Sequence, residues 1–426
     1  MIEVDYISAN DERFLSLSDS DAVTAAVKVA KDNDILRVVI PRVNKRTNRA
    51  EWIFDKAVLL PSNIEIVLDN CYIRQADGIF DNVFRNENFY DKNSCEKDGE
   101  QHNIVIRGVG NAVIDGGNPN GLTEKTSEKD GYPHIRWNNT ILLHNIREFT
   151  IENITIKNQR WWGINLIFAR NGRLSNIKFD AKNNIPNQDG IDLRVGCTDI
   201  IIENICGQGG DDLVALSGFK GGDCIKELYV PWRKDDICNI IIKNIMGTSV
   251  RHAIVALRNQ DGIKLHDITI DSVCDTSHNE NGNNPYAAIR IGNKAYANKR
   301  FSILGETARI FVSNVHSYNQ YAVMVNVTLT DSVFKNIYCS KKSWSAFSTK
   351  RCNLSPEVQG AKIHNTVIEN VFFDVEEKSP DSIFNFFYYD EKDAFKNVIV
   401  RNVFTNGCEN VIEGNGKDCI ITENIF

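Results

Sequence analysis

Four residues give this 426-residue chain its capacity for chemistry: Asp189, Asp211, Asp212 and His252. Asp211 and Asp212 are adjacent, and Asp189 precedes Asp211 by 22 positions. Three carboxylates held close together repel when ionised, so at least one of them should keep a proton near neutral pH. A protonated carboxyl beside ionised ones suits glycosidic hydrolysis, where one group protonates the leaving oxygen and another activates a water. A separation of roughly 5–5.5 Å gives retention, and roughly 6.5–9.5 Å gives inversion. His252 could tune the acid or hold the substrate. Trp162 could stack on a sugar face, and Arg290 could grip a carboxylate through two hydrogen bonds. Other readings are calcium bound by the carboxylates and aspartates that merely shape glycine-flanked turns.

These residues lie far apart in sequence, so a repeating fold must bring them together. An Asn-Ile/Val pair within alternating apolar residues recurs at Asn153, Asn176, Asn204, Asn244, Asn314, Asn336, Asn370, Asn402 and Asn424, and Asp267-Ile268 counts as a further copy. The shorter spacings cluster at 22 and 23 residues. This period, with alternation of period two, predicts coils of short strands and tight turns. The fold class expected is all-β, a single-stranded right-handed parallel β-helix whose coils stack about 4.8 Å apart. Asn suits the sharp bends because it tolerates the left-handed region, and stacked Asn side chains can bond up a ladder.

Aligning coils on their apolar triplets orders the polar residues. Asp189-Gly-Ile-Asp-Leu193 falls on Asp212-Leu-Val-Ala-Leu216, with Trp162-Gly-Ile-Asn-Leu166 one coil earlier and Tyr286-Ala-Ala-Ile-Arg290 later. Placing Asn204 on Asn244 sets Asp211 on Arg251 and Asp212 on His252. One stripe is then Trp162, Asp189, Asp212, His252 and Tyr286. A second is Asn165, Asp192, Ala215, Ala256 and Arg290, expected to face outward because side chains alternate along a strand. Ile191, Val214, Val255 and Ile289 form the inward apolar ladder. Asp192 could act on the substrate, support the other carboxylates or orient a turn.

The first hundred residues read differently. Asp19 to Asp32 predicts one helix, capped by Asp19, Ser20 or Asp21, with Val23, Ala26, Val27 and Ala30 on one face. A strand from Leu36 to Ile40 follows, ended by Pro41. The helix should cover the open end of the solenoid, where edge groups would otherwise be exposed. Residues 1–102 are expected to form a capping region with the first coils, and 103–426 the β-helix, as one continuous domain; Asn103 to Gly117 reads as an early full coil.

Lys plus Arg number 49 and Asp plus Glu 56, a net charge of −7. That balance argues against a nucleic-acid partner, because neutralising phosphates needs a basic excess. No stretch approaches the ~20 apolar residues of a membrane span. The 11 cysteines are scattered without a C-x-x-C pair, which argues against a zinc knuckle. The N-terminus lacks a basic segment followed by an apolar one, so a cytoplasmic monomer is expected, or a secreted one if a leader has been removed. No cofactor or metal is expected, and the partner is an oligo- or polysaccharide.

At this point the chain resembles the polygalacturonases, glycoside hydrolase family 28. That family carries Asn-Thr-Asp, Asp-Asp after Gly or Gln, Gly-His-Gly and Arg-Ile-Lys in this order. Asn187-Gln188-Asp189 matches the first with Thr replaced, and Gly210-Asp211-Asp212 matches the second. Arg251-His252-Ala253 keeps the His of the third, while Arg290-Ile291-Gly292 keeps the Arg of the fourth and loses the Lys. The resemblance implies an inverting hydrolase of pectic or related saccharides. Asp211 would be the general acid, Asp189 and Asp212 would hold and activate water, and His252 would support the acid. Arg290 would bind substrate, with Asn187, Arg251, Trp162, Asp192 and Tyr286 around it. The family's Lys helps to recognise a galacturonate carboxylate, and Gly292 cannot. A uronate lyase or epimerase, and a non-catalytic saccharide-binding spike, are the other readings of such a solenoid.

Overall fold

The computed structural model describes residues 5–118, 138–181, 187–218, 228–250, 252–260, 262–277, 286–292, 302–318, 320–340, 343–349, 362–374, 382–387 and 393–426. Strands from Tyr6–Ser8 to Ile420–Ile425 join in one unbroken series of parallel ladders, which is the expected parallel β-helix. Its interior is built by like stacking on like. Ile164, Ile191, Val214, Val255, Ile289, Val323, Phe347 and Phe384 succeed one another in register. All eight are fully buried. Each such side chain withdrawn from water stabilises the fold by roughly 1.5–3 kcal/mol, so the core grows by a similar increment with every coil.

Two columns of left-handed residues turn each coil. One holds Asn153, Asn176, Asn204, Asn244, Ser272, Asn314, Asn336, Asn370, Asn402 and Asn424, all with φ between 51° and 60°. Amide-to-carbonyl bonds of 2.9–3.1 Å link Asn153 through Asn244 and Asn314 through Asn424 from coil to coil. The other column runs five residues earlier and includes Asn171, Asp199, Asn239, Asp267, Asn365 and Asn397. Asp267 therefore belongs to this second column, because Ile240 pairs with Ile268 and Ile245 with Val273. Ser272 takes the place in the Asn ladder that the sequence repeat gave to Asp267.

The N-terminal helix, α1, spans Asp19–Asp32 as expected, and its N-cap is Ser18, whose hydroxyl accepts the Asp21 amide. Ser18 fits the cap because its backbone is extended while Asp19 is already helical. Asp19 is instead buried. Its carboxylate accepts bonds from Arg46, from Asn44 at 2.8 Å and from the Ile53 amide at 2.6 Å, tying the helix to the loop beyond it. The following strand is Arg37–Pro41, one residue later than expected at each end. α1 packs across Tyr6–Ser8, Arg37–Pro41, Trp52–Phe54 and Val58–Leu60, covering the first coils. Among the described residues, no helix is long and apolar enough to cross a membrane.

Candidate active site

The outward column beside the inner ladder is the one expected: Asn165, Asp192, Ala215, Ala256 and Arg290 are direct partners on successive coils. Its exposure differs from expectation. Asn165, Asp192 and Arg290 are 3%, 0% and 5% exposed, so this outward column is itself covered. The first stripe is shifted by one residue. Gly209 pairs with Ser249, an offset of 40, whereas Val214 pairs with Val255, an offset of 41. The later coil holds one extra residue in the intervening turn. His252 therefore comes beside Asp211 rather than Asp212, with Nδ1 3.2 Å from Oδ1. Asp212 lies at Ala253, whose amide donates to Oδ1 at 2.8 Å.

Each carboxylate has its own setting. Asp212 is buried, and one Arg290 amino group donates to both of its oxygens, at 3.1 and 2.8 Å. Asp211 reaches solvent with 16% of its side chain, and its Oδ1 accepts the Asp212 amide at 2.9 Å. Burial and the neighbouring Asp212 hold its proton above the ordinary carboxylate range, against the opposing pull of His252, Arg258 and Arg290. Asp189 is buried, and among the described residues its Oδ1 has no hydrogen-bond partner. Burial, then the charges of Asp192, Asp211 and Asp212, raise it well above the usual range. Carboxyls that keep their protons to higher pH than usual thus stand next to an ion-paired one. Asp211, Asp212 and His252 also lie close enough together to ligate one metal ion, although Arg290 already pairs with Asp212.

A reciprocal amide clamp positions two of these acids. Gln188 Nε2 donates to the Gln159 carbonyl at 2.6 Å, and Gln159 Nε2 donates to the carbonyls of Gln188 and Asp189 at 3.2 and 3.3 Å. The Gln188 carbonyl then accepts the amides of Gly210 and Asp211 at 2.9 and 3.4 Å. This ties the backbone just before Asp189 to that of Gly210 and Asp211 on the next coil. Asn187, at φ 62°, makes the left-handed turn into Asp189.

Next to Asp192 along its strand stands a cation. Arg194 is fully buried, with its guanidinium 4.5 Å over the Trp162 ring and 3.9 Å from Asp192. Trp162 is only 4% exposed and packs against the buried Trp161, so its ring meets an arginine rather than solvent. Burial pushes Asp192 up to about 8 despite Arg194 and Arg258. Tyr286 stands edge-on to His252 at 6.4 Å. Arg251 lies outside the described residues. The structure therefore brings together Asp189, Asp211, Asp212, His252, Arg290 and Tyr286, with Trp162 and Asp192 against Arg194 beside them. Gln159, Arg194 and Arg258 join the site without having been expected. The two arginines were within reach of the sequence pattern, since each follows an outward column residue by two positions, on the same face.

The comparisons bear on this geometry. Residues 82–230 match the family model described as Glycosyl hydrolases family 28. That segment contains Asp189, Asp211 and Asp212, and ends before His252 and Arg290. The match thus takes in the first two of the four motifs and about 105 residues before them. Among solved structures, the chain is similar to the endo-xylogalacturonan hydrolase from Aspergillus tubingensis, at 15% identity and TM-score 0.53 over 99% of both chains. It is also similar to the family 28 exopolygalacturonase of Yersinia enterocolitica, at 12% identity and TM-score 0.58 over 99% of this chain and 78% of that one. The tailspike protein of E. coli bacteriophage HK620 in complex with pentasaccharide matches at 12% identity and TM-score 0.60, over 93% of this chain and 72% of that one. At these identities the likeness is one of fold. No curated protein matches the sequence.

Proposed function

We propose that the protein is a glycoside hydrolase acting on pectic, galacturonate-containing or related saccharides by inversion. The observation that carries this reading is the division of labour among adjacent carboxylates. Asp211 keeps its proton to higher pH than an ordinary carboxylate and reaches solvent, so it can deliver that proton to the glycosidic oxygen. Asp212, paired with Arg290, accepts a proton from water, and Asp189 orients that water. His252, 3.2 Å from the acid, senses its charge and can help to return the proton between turnovers. The family 28 match over the segment bearing all three acids supports the same chemistry.

The deciding experiment is hydrolysis of pectic oligosaccharides with the product anomer followed by NMR. Inverted anomer is the expected first product; retained anomer or an unsaturated uronate would refute the mechanism. Asp211→Asn should lower kcat by roughly 10²–10⁴-fold with unchanged circular dichroism. The tailspike likeness favours one second reading, a solenoid that binds saccharide without cleaving it. Tight saccharide binding with no turnover in the wild-type chain would support that alternative.

A further inference from the structure

We infer that Arg160 is a positioning residue for the acids, a buried cation that anchors the Gln159–Gln188 clamp to the N-terminal coils. The inference rests on the hydrolase reading above and names a residue that serves it from outside the acid cluster.

Arg160 lies in the turn between the strands Ile141–Lys157 and Ile164–Asp180. It is fully buried, as are Gln159 before it and Trp161 after it, so it is out of reach of a saccharide on the outer face. Among the described residues its guanidinium bonds to no carboxylate. It donates instead to three backbone carbonyls, those of Ile79, of Ala76 at 2.8 Å and of Gln75 at 3.4 Å. Burial outweighs the attraction of Asp77 and Asp115 and pushes it down to about 10, so it stays charged near neutral pH. A buried cation without a paired anion is costly to keep. What it adds over an apolar chain of the same length is a rigid fork of donors, able to hold several carbonyls at once.

The register shows how far this hold extends. Phe84, Ile141, Ile164, Ile191 and Val214 succeed one another on five coils. Gln75, Ala76 and Ile79 lead into the first of these and Arg160 into the third, while Asp189 leads into the fourth and Asp211 and Asp212 into the fifth. Arg160 thus reaches back two coils. Its neighbour Gln159 reaches forward one, to the carbonyls of Gln188 and Asp189, and its own carbonyl accepts the Gln188 side-chain amide. The Gln188 carbonyl carries the link on to the amides of Gly210 and Asp211. One dipeptide therefore ties the backbone around Asp189 and Asp211 to coils well before them. Without the anchor Gln159 can shift along its turn, and the acid shifts against the group that orients the water. Catalysis falls steeply with such misplacement.

The test is a double-mutant cycle read in kcat and KM, below the melting temperature of every variant. Arg160→Gln should lower kcat about tenfold or more and leave KM within about twofold, because the residue touches no sugar. Arg160→Lys should recover part of the loss, since an ammonium still donates to carbonyls. Gln159→Ala should lower kcat in the same way, and the double variant should lose no more than about twofold beyond it, because Arg160 acts through Gln159. If Arg160→Gln fails to fold, Arg160→Lys takes its place in the cycle. Losses that multiply would overturn the inference, as would a lower melting temperature with kcat unchanged. A second readout needs no turnover: the titration of the Asp211 carboxyl, followed by carbon NMR. Its midpoint should fall toward the ordinary carboxylate range in the Arg160 and Gln159 variants alike, as the clamp loosens and water enters; an unmoved midpoint would overturn the inference. A wild-type chain that cleaves no saccharide, with the midpoint moving as expected in its variants, would count against the hydrolase reading alone.

Discussion

The roles of the acids follow from what each one touches rather than from residue type. Asp192 is the extreme case: fully buried, with Arg194 3.9 Å away and, among the described residues, no hydrogen bond to either oxygen. Its pKa of about 8 in the folded chain compares with about 4 when unfolded. Between those values the folded state holds the extra proton, so stability is greatest below about pH 4 and declines as pH rises through about 8. Asp192→Asn removes that dependence. The melting temperature of the wild type should fall between pH 5 and pH 9, and that of Asp192→Asn should fall less; parallel curves would show that Asp192 does not titrate there. Asp211 is displaced in the same direction, so the alkaline limb of the pH–rate profile should lie above the ordinary carboxylate range, as protonated acid is lost. Trp162 shows where residue type misleads. An indole at an outward position looks like a sugar platform, yet what lies over an outward position is set by neighbouring coils, and here it is Arg194.

The turn is the element that sets the coil geometry. Asn204 has φ 55°, donates to Asn176 at 2.9 Å and accepts from Asn244 at 3.1 Å. Replacing it with Ala forces a Cβ-bearing residue without a compensating side chain into the left-handed region and breaks two ladder bonds. The expected cost is about 1–2 kcal/mol for the backbone, read as a lower urea midpoint. Asn204→Gly should lose less, since Gly takes that conformation freely; equal losses would place the whole effect in the ladder bonds. Most of this architecture was legible because Asn both marks the bend and repeats with the coil. Ser272 escaped notice because serine carries no such signature, and nearby Asp267 imitated the repeat from the other column. The slip at His252 has a related cause. Apolar alternation fixes register along strands, but the extra residue lies in a turn between them, where no alternation exists to count it.

The molecule as a whole is close to one-dimensional: each coil touches mainly the coil before and the coil after. Damage should therefore stay local. Val403→Ala, deep in the last coils and fully buried, should cost on the order of 1–3 kcal/mol. It should speed amide exchange in Phe395–Phe404 and Ile420–Ile425 while exchange at Asp211 and Asp212 and the hydrolytic rate stay as they were. Loss of protection along the entire chain would show a single cooperative unit instead. The same geometry governs how such a protein can change length. A whole coil inserted or lost leaves every surviving side chain on its own face. A single residue does not, and the turn between Ser249 and Val255 already holds one more than its counterpart between Gly209 and Val214. That one residue separates a histidine facing the acid from one facing its arginine-bound neighbour. Reshaping of this site by insertion should therefore proceed in whole turns of the solenoid, with this single turn as the place where the chain's phase is set.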